Sequence, residues 1–257
     1  MAGHSHAANI ARRKGAQDIK RGKIFTKIAR EIIVAAKGGP DINFNAKLRT
    51  VVIKARQAGM AKDKIDAAIA KGSGTGATEN YESVRYEGYG AGGAAILVDA
   101  LTDNRNRTAS DLRSIFTKNT GNMGESGSVA FMFERIGLIE YPAEKILEEA
   151  MLEAAIDAGA ENCETSEQQN NDGATKRLHT ITTTMETLGA VRDALATKFG
   201  DPVTCKLTFT VKVGAPVGGS DLENLMELVE ALEDNDDVQE VFTNAEISDA
   251  DAAKLSA

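Results

Sequence analysis

A chain of 257 residues with 42% hydrophobic and 26% charged content is long enough for two or three small domains with real cores. It has no run of eighteen or more apolar residues and no apolar secretory stretch at its N-terminus, so neither a membrane-spanning nor an exported protein is expected. Its two cysteines, Cys163 and Cys205, stand far apart and outside any CxxC pairing. That argues against a disulfide framework or a zinc site and suits a reducing cytoplasm.

The net charge of −8 is unevenly spread. Residues 1–72 hold 16 Lys and Arg against 5 Asp and Glu, a net of +11, leaving 14 basic and 33 acidic residues, or −19, for the rest. Such a split points to a polyanion-binding module joined to an acidic body.

In chain order, Arg12, Arg13 and Lys14 form a basic cluster suited to a flexible arm. From Gln17 a helix is predicted, with Ile24, Phe25, Ile28, Ile32 and Ile33 on one face and Lys20, Lys23, Lys27 and Arg30 on the opposite, solvent-facing ridge. The bland alternative is a solvated helix face. After Gly38-Gly39-Pro40, with Asp41 as a cap, Phe44, Leu48, Val51, Val52 and Ala55 mark a second amphipathic helix that Gly59 can end. Lys47, Arg49, Lys54 and Arg56 lie on its other faces. A third helix spans about 62–71, with Ile65, Ala68 and Ile69 inward and Gly72 as its stop. These three make a small bundle, basic outside, and Ser73-Gly74-Thr75-Gly76 reads as a linker.

Beyond the linker the pattern turns to strands at 81–86, 94–101, 129–133, 138–141, 179–184, 204–213 and 238–242. Helices are predicted at 108–118, 144–158, 186–199 and from Ser220, where Glu223 completes a capping box and Leu222, Leu225, Met226, Val229 and Leu232 face inward. Residues 166–176 read as a polar loop and the last residues as an acidic tail. The mixture predicts an α+β fold.

Most chemical motifs fail. Gly88, Gly90 and Gly93 satisfy GxGxxG, but an apolar β-type run follows where a dinucleotide site needs a helix, so a tight turn with positive φ is expected. His4 and His6 lack a third ligand, and His179 alone in a strand reads as structural. No serine elbow, P-loop lysine or HExxH occurs, and Glu223, Glu227, Glu230 and Glu233 fit a solvated helix face. No catalytic residue, metal or cofactor is expected. One segment stands out: Asn104, Arg105, Asn106 and Arg107 sit at a strand-to-helix junction, where free backbone amides and two guanidinium groups suit an anion. The competing reading is that Asp103 or Asn104 merely caps the helix and the arginines lie on the surface.

Several stretches together resemble the YebC/PmpR family, which includes the mitochondrial translational activator of cytochrome oxidase subunit one. They are the opening Met1-Ala-Gly-His-Ser5, Arg13 to Asp18, Lys20 to Lys27, Tyr86-Glu-Gly-Tyr-Gly90, Leu101 to Thr108 and Gly127-Ser-Val-Ala-Phe131. The resemblance implies a three-helix bundle followed by two α+β, ferredoxin-like domains, one inserted in the other. The boundaries it implies are 1–76 for the basic domain, 77–133 with 207–247, an insert at 134–206, and a tail at 248–257. The chain departs from the family at His6 and Ala7, where a basic and an aromatic residue are usual, at Ala11-Arg12, and at Ala61, where proline is common. Aromatic stacking is thus missing at position 7, while Arg12, Arg13, Lys14 and Lys20 keep the attraction for phosphate.

The resemblance implies a non-enzymatic regulator of one of two kinds: a ribosome-binding translation factor that relieves stalling at proline runs, or a DNA-binding transcriptional regulator. A ridge rich in lysine but poor in amides, with no readable recognition helix, favours ribosomal RNA. A protein-interaction scaffold using the acidic helices is a third class. The candidate nucleic-acid-binding residues are Arg12, Arg13, Lys14, Lys20, Arg21, Lys23, Lys27, Arg30, Asn104, Arg105, Asn106 and Arg107. No membrane partner is expected, and a monomer is favoured.

Overall fold

Apolar residues spaced three and four apart build the first elements. The computed structural model describes residues 17–74, 80–169, 175–248 and 251; the basic arm with Arg12, Arg13 and Lys14, part of the linker and most of the acidic tail lie outside them. Helices α1 (Gln17–Ala36), α2 (Ala46–Gln57) and α3 (Lys62–Ser73) bury Ile28, Ile32, Ile33, Leu48, Val52, Ala55, Ile65 and Ala68 in one core.

Details of the bundle differ from the sequence expectation. Phe44 is 91% exposed because α2 starts after it. Asn45, not Asp41, is the cap: its Oδ1 accepts the Leu48 N–H at 3.0 Å, while Asp41 closes a turn on the Asn43 N–H at 2.8 Å. Ile24 is 42% exposed, off the buried stripe. Gly72 does not stop α3 but lies inside it, and a Cβ there would collide with the Ile33 carbonyl oxygen. Only a hydrogen lets α1 and α3 approach so closely.

Strands β1 (Glu82–Tyr89) and β2 (Ala95–Thr102) pair antiparallel, Glu82 opposite Thr102 and Tyr89 opposite Ala95. Gly92 and Gly93, at φ 67° and 75°, turn the chain between them in the left-handed region. Gly88, by contrast, lies flat against the Phe116 ring. A strand follows the glycines, so they form a hairpin turn. Helix α4 (Arg105–Lys118) and the short β3 (Asn122–Met123) come next. Residues Ala130–Met132 form a 3-10 turn in place of the expected strand.

Packing divides the described chain into two compact units, Phe133–Lys212 and the remainder. The first runs β4 (Phe133–Pro142), α5 (Glu148–Asp157), β5 (Asn162–Gln169), β6 (Thr175–Thr183), α6 (Leu188–Phe199) and β7 (Thr204–Val211). Its antiparallel sheet has the order β5-β6-β4-β7, the split βαβ arrangement of ferredoxin-like folds. Of the stretch expected to be a polar loop, 166–169 belong to β5 and 175–176 to β6, which pair antiparallel with Thr165 opposite His179; 170–174 lie outside the described residues. Buried His179 lies between Thr165 Oγ1, 2.8 Å from its Nδ1, and the Ile146 carbonyl, 2.9 Å from its Nε2. Cys163 and Cys205 occupy the two edge strands, in register with Ile181 and Ile139 between them. Three strand spacings, ~14 Å, separate them, beyond disulfide reach.

In the other unit the chain returns at Val213, whose N–H donates to the Met132 carbonyl at 3.1 Å. It continues as β8 (Ala215–Pro216), α7 (Gly219–Glu233), β9 (Val238–Thr243) and β10 (Ala245–Glu246). The four-stranded sheet has the order β3-β1-β2-β9. Against it α4 buries Leu112 and Phe116, and α7 buries Leu222, Leu225, Met226, Leu228, Val229 and Leu232. The expected capping box does not form: α7 begins at Gly219, and Gly218 precedes it with no side-chain cap. The fold is α+β.

Gly72→Ala forces α1 and α3 apart and should cost about 2 kcal/mol, the usual penalty for overpacking. The check is the urea midpoint, expected to fall with the slope unchanged; an unmoved midpoint would show that the helices do not meet at Gly72.

Candidate nucleic-acid interface

The ridge of α1 does not face solvent as expected. Lys23 Nζ lies 3.1 Å from Asp234 Oδ1 and 3.3 Å from the Asp234 carbonyl oxygen. Lys27 Nζ donates to the Glu233 carbonyl at 2.6 Å. Arg30 donates to the Asp236 carbonyl and, at 2.9 Å, to Asp237 Oδ1. Their partners form the C-terminal end of α7 and the turn after it, the negative end of the helix dipole. The last turn of α7 has no basic residue of its own, so α1 supplies the complement. Burial draws the Lys27 ammonium below its ordinary range, with the charges of Glu233 and Asp234 pulling the other way. Charge reversal at Lys23 or Lys27 would therefore strike this packing as well as any ligand. For Lys20 and Arg21 only the helical backbone is described.

The second candidate segment behaves mainly as a cap. Asn104 Oδ1 accepts the Arg107 N–H at 3.1 Å, and Asn104 N–H donates to Thr102 Oγ1 at 2.9 Å. Arg105 is exposed, its Nε 3.8 Å from Glu82 Oε1, and Asn106 is exposed beside it. Arg107 donates to Asp103 Oδ1 at 2.8 Å and to Asp237 Oδ2 at 2.9 Å. The structure thus brings Arg30 and Arg107, 77 positions apart in number, to one carboxylate. They line an open polar cleft of about 290 Å³ with Asp103, Asp111, Asn235, Asp236 and Asp237.

Asp237 was not a candidate from sequence, yet it organises this region. Besides both arginines, Thr108 Oγ1 donates to its Oδ2 at 2.7 Å, Thr102 Oγ1 lies 2.8 Å from Thr108 Oγ1, and its carbonyl accepts the Leu101 N–H at 2.7 Å. Burial alone would raise its carboxyl, but hydrogen bonds from Arg107 and Thr108 and the charges of Arg107 and Arg30 prevail and hold it below the usual range. The sequence signal was the acidic run Glu233 to Asp237, counterpart in sign to α1. A second buried carboxylate also escaped notice. Glu87 Oε1 accepts the Gly127 N–H at 2.7 Å, and Oε2 accepts those of Val129 and Ala130 at 2.8 and 2.9 Å. Its signal was a charge inside the Tyr86-Glu-Gly-Tyr-Gly90 strand, upstream of a glycine-rich loop whose amides need an acceptor.

Family comparison agrees with this architecture. A model of the TACO1/YebC N-terminal domain matches residues 5–75, and one of the TACO1/YebC second and third domains matches residues 81–245. The chain belongs to the TACO1/YebC family. It is similar to a conserved hypothetical protein from Aquifex aeolicus whose crystal structure matches with a TM-score of 0.79 and 41% identity, over 92% of this chain and 95% of that one. The TACO1/YebC family is one of regulators acting in gene expression, not a known enzyme family. Among the described residues no helix is long and apolar enough to cross a membrane, and no group of three His, Cys, Asp or Glu is placed to hold a metal ion.

Two predictions follow from the carboxylates. Asp237→Asn should destabilise the protein by about 2 kcal/mol near neutral pH, discounted because Arg107 is half in solvent. Because the folded carboxyl titrates below the unfolded one, its contribution is complete above the unfolded value and lost as pH falls through the folded one. The gap between wild type and variant, read by denaturant titration, should therefore shrink below about pH 4; a gap constant with pH contradicts the charge pairing. Glu87→Gln sets an amide NH2 against backbone N–H donors, at a cost of about 2 kcal/mol. Amide hydrogen exchange at Gly127, Val129 and Ala130 should accelerate selectively, and unchanged protection there counts against the carboxylate anchor.

Proposed function

We propose that this protein is a non-enzymatic, nucleic-acid-binding regulator that acts as a translation factor, engaging ribosomal RNA and relieving stalling at proline-rich stretches. The observation that carries this reading is the +11 charge of residues 1–72 on a bundle whose α2 and α3 expose Lys47, Arg49, Lys54, Arg56, Lys62 and Lys64. Cations spread over two convex helices suit a phosphate backbone better than a base edge. Arg105 and Asn106, exposed at the start of α4, extend that contact onto the α+β body. Action by binding and positioning needs no covalent step. The reading further takes the basic bundle, the discontinuous α+β domain and the insert as three functional parts.

A second reading, a DNA-binding transcriptional regulator, draws on the family model for the second and third domains, which carries a transcriptional-regulator label. The two separate in one experiment: co-sedimentation with ribosomes across a salt series, beside titration of mixed-sequence duplex DNA in the same buffers. Sedimentation with the large subunit near physiological salt, with only weak duplex binding, supports the translation reading; a particular duplex held while ribosomes are ignored favours the other. Lys47→Glu with Lys62→Glu, both on exposed helix surface, should leave the fold intact and lower the slope of log affinity against log salt by ~2. An unchanged slope would remove the bundle from the interface.

A further inference from the structure

The cations of α1 at 23, 27 and 30 face a row of acceptor oxygens, part carbonyl and part carboxylate, that occupies them as a phosphate backbone would. It comprises the carbonyls of Glu233, Asp234 and Asp236 and the carboxylates of Asp234 and Asp237. A ligand with spaced phosphates would use the same ammonium and guanidinium donors. The contact is also built to yield. The bundle core and the sheet core are separate apolar clusters, so long polar side chains carry the junction. At its Lys23 end Asp234 is 61% exposed and Lys23 35%, the setting in which ion pairs are weak and screened by salt, while Arg30 and Asp237, 17% and 7% exposed, form the firmer end. Asp237 would keep Arg107 and Thr108 after losing Arg30, so the turn stays anchored to the sheet when the ridge departs.

We propose that the turn Glu233–Asp237 is a built-in competitor that covers the cationic ridge of α1 in the free protein, and that RNA reaches Lys23, Lys27 and Arg30 by displacing it. This rests on the nucleic-acid reading above. The ridge is then a regulated part of the RNA surface, closed at rest and opened by a ligand with enough phosphates. The exposed cations of α2 and α3 provide the first encounter.

The test uses the full chain and a short mixed-sequence single-stranded RNA. Asp234→Asn with Asp236→Asn removes the carboxylate paired with Lys23 and a second negative charge acting on Lys27, and leaves Asp237 in place; RNA affinity by fluorescence anisotropy should rise roughly 2–10-fold. Glu149→Gln with Glu153→Gln, on the exposed face of α5, removes the same charge elsewhere and should leave affinity at the wild-type value. Independently, a zero-length carbodiimide cross-link between Lys23 and Asp234, mapped by peptide mass spectrometry, should form in wild type and disappear at saturating RNA. Equal affinities for all three proteins, with the cross-link persisting under RNA, overturn the competitor while the nucleic-acid reading stands. If neither wild type nor the Asp234/Asp236 variant binds RNA, both fall together.

Discussion

A buried carboxylate must be neutralised where it sits, and Asp237 meets that demand by gathering groups from three elements. Arg30 comes from α1, Arg107 and Thr108 from the first turn of α4, and Thr102 from the end of β2. Each is held by its own element, so the carboxylate ties β2 and α4 together through Thr102, Arg107 and Thr108, and in the free protein adds α1 through Arg30. The backbone reinforces this: the Asp237 carbonyl accepts from Leu101, and its N–H donates to Asn235 Oδ1 at 2.9 Å, shaping the turn that starts β9. Nearby, the β2–β9 register shifts between Asp99 and Ala100.

Glu87 applies the same rule with a different donor set. It meets three backbone N–H groups instead of guanidinium groups, and so shapes a loop instead of joining helices. The glycine-rich segment before β4 thereby takes one conformation with little apolar burial of its own. In both places apolar packing builds the layers, and one charged side chain decides how their ends connect. Arg85 and Asp99 add a bidentate cross-strand pair at 2.7 and 2.9 Å between β1 and β2.

What could be read from sequence follows the range of the forces involved. The stripes of α1, α2, α3 and α7 were legible because helix periodicity is local: Ile28, Ile32, Leu48, Val52, Ile65, Leu225 and Val229 are buried as spacing implied. The family likeness came from long motifs in register, which periodicity alone does not provide. Strand β5 was missed because it lies at a sheet edge with a polar sequence, Asn162 to Gln169, and shows little apolar alternation. Phe44 and the capping box failed for a local reason, since helix starts hang on one cap, and Asn45 and Gly218 took the positions assigned elsewhere. The ridge of α1 was correctly read as basic and wrongly read as open. Its partners lie more than 200 residues away, and no pattern within a helix reveals who will stand opposite.

The connectivity also sets an order of events during synthesis. The unit from Phe133 to Lys212 is one continuous run and can fold as soon as it emerges. The sheet around β2 cannot: Ile96 waits for Thr243 and Val98 for Val241. Such distant pairing must wait until the intervening chain exists, so the first half of that sheet spends translation with an unfilled edge. The cations of α1 share the delay, because Glu233 to Asp237 are made late. A newborn chain therefore presents this cationic ridge before the segment that neutralises it has been built.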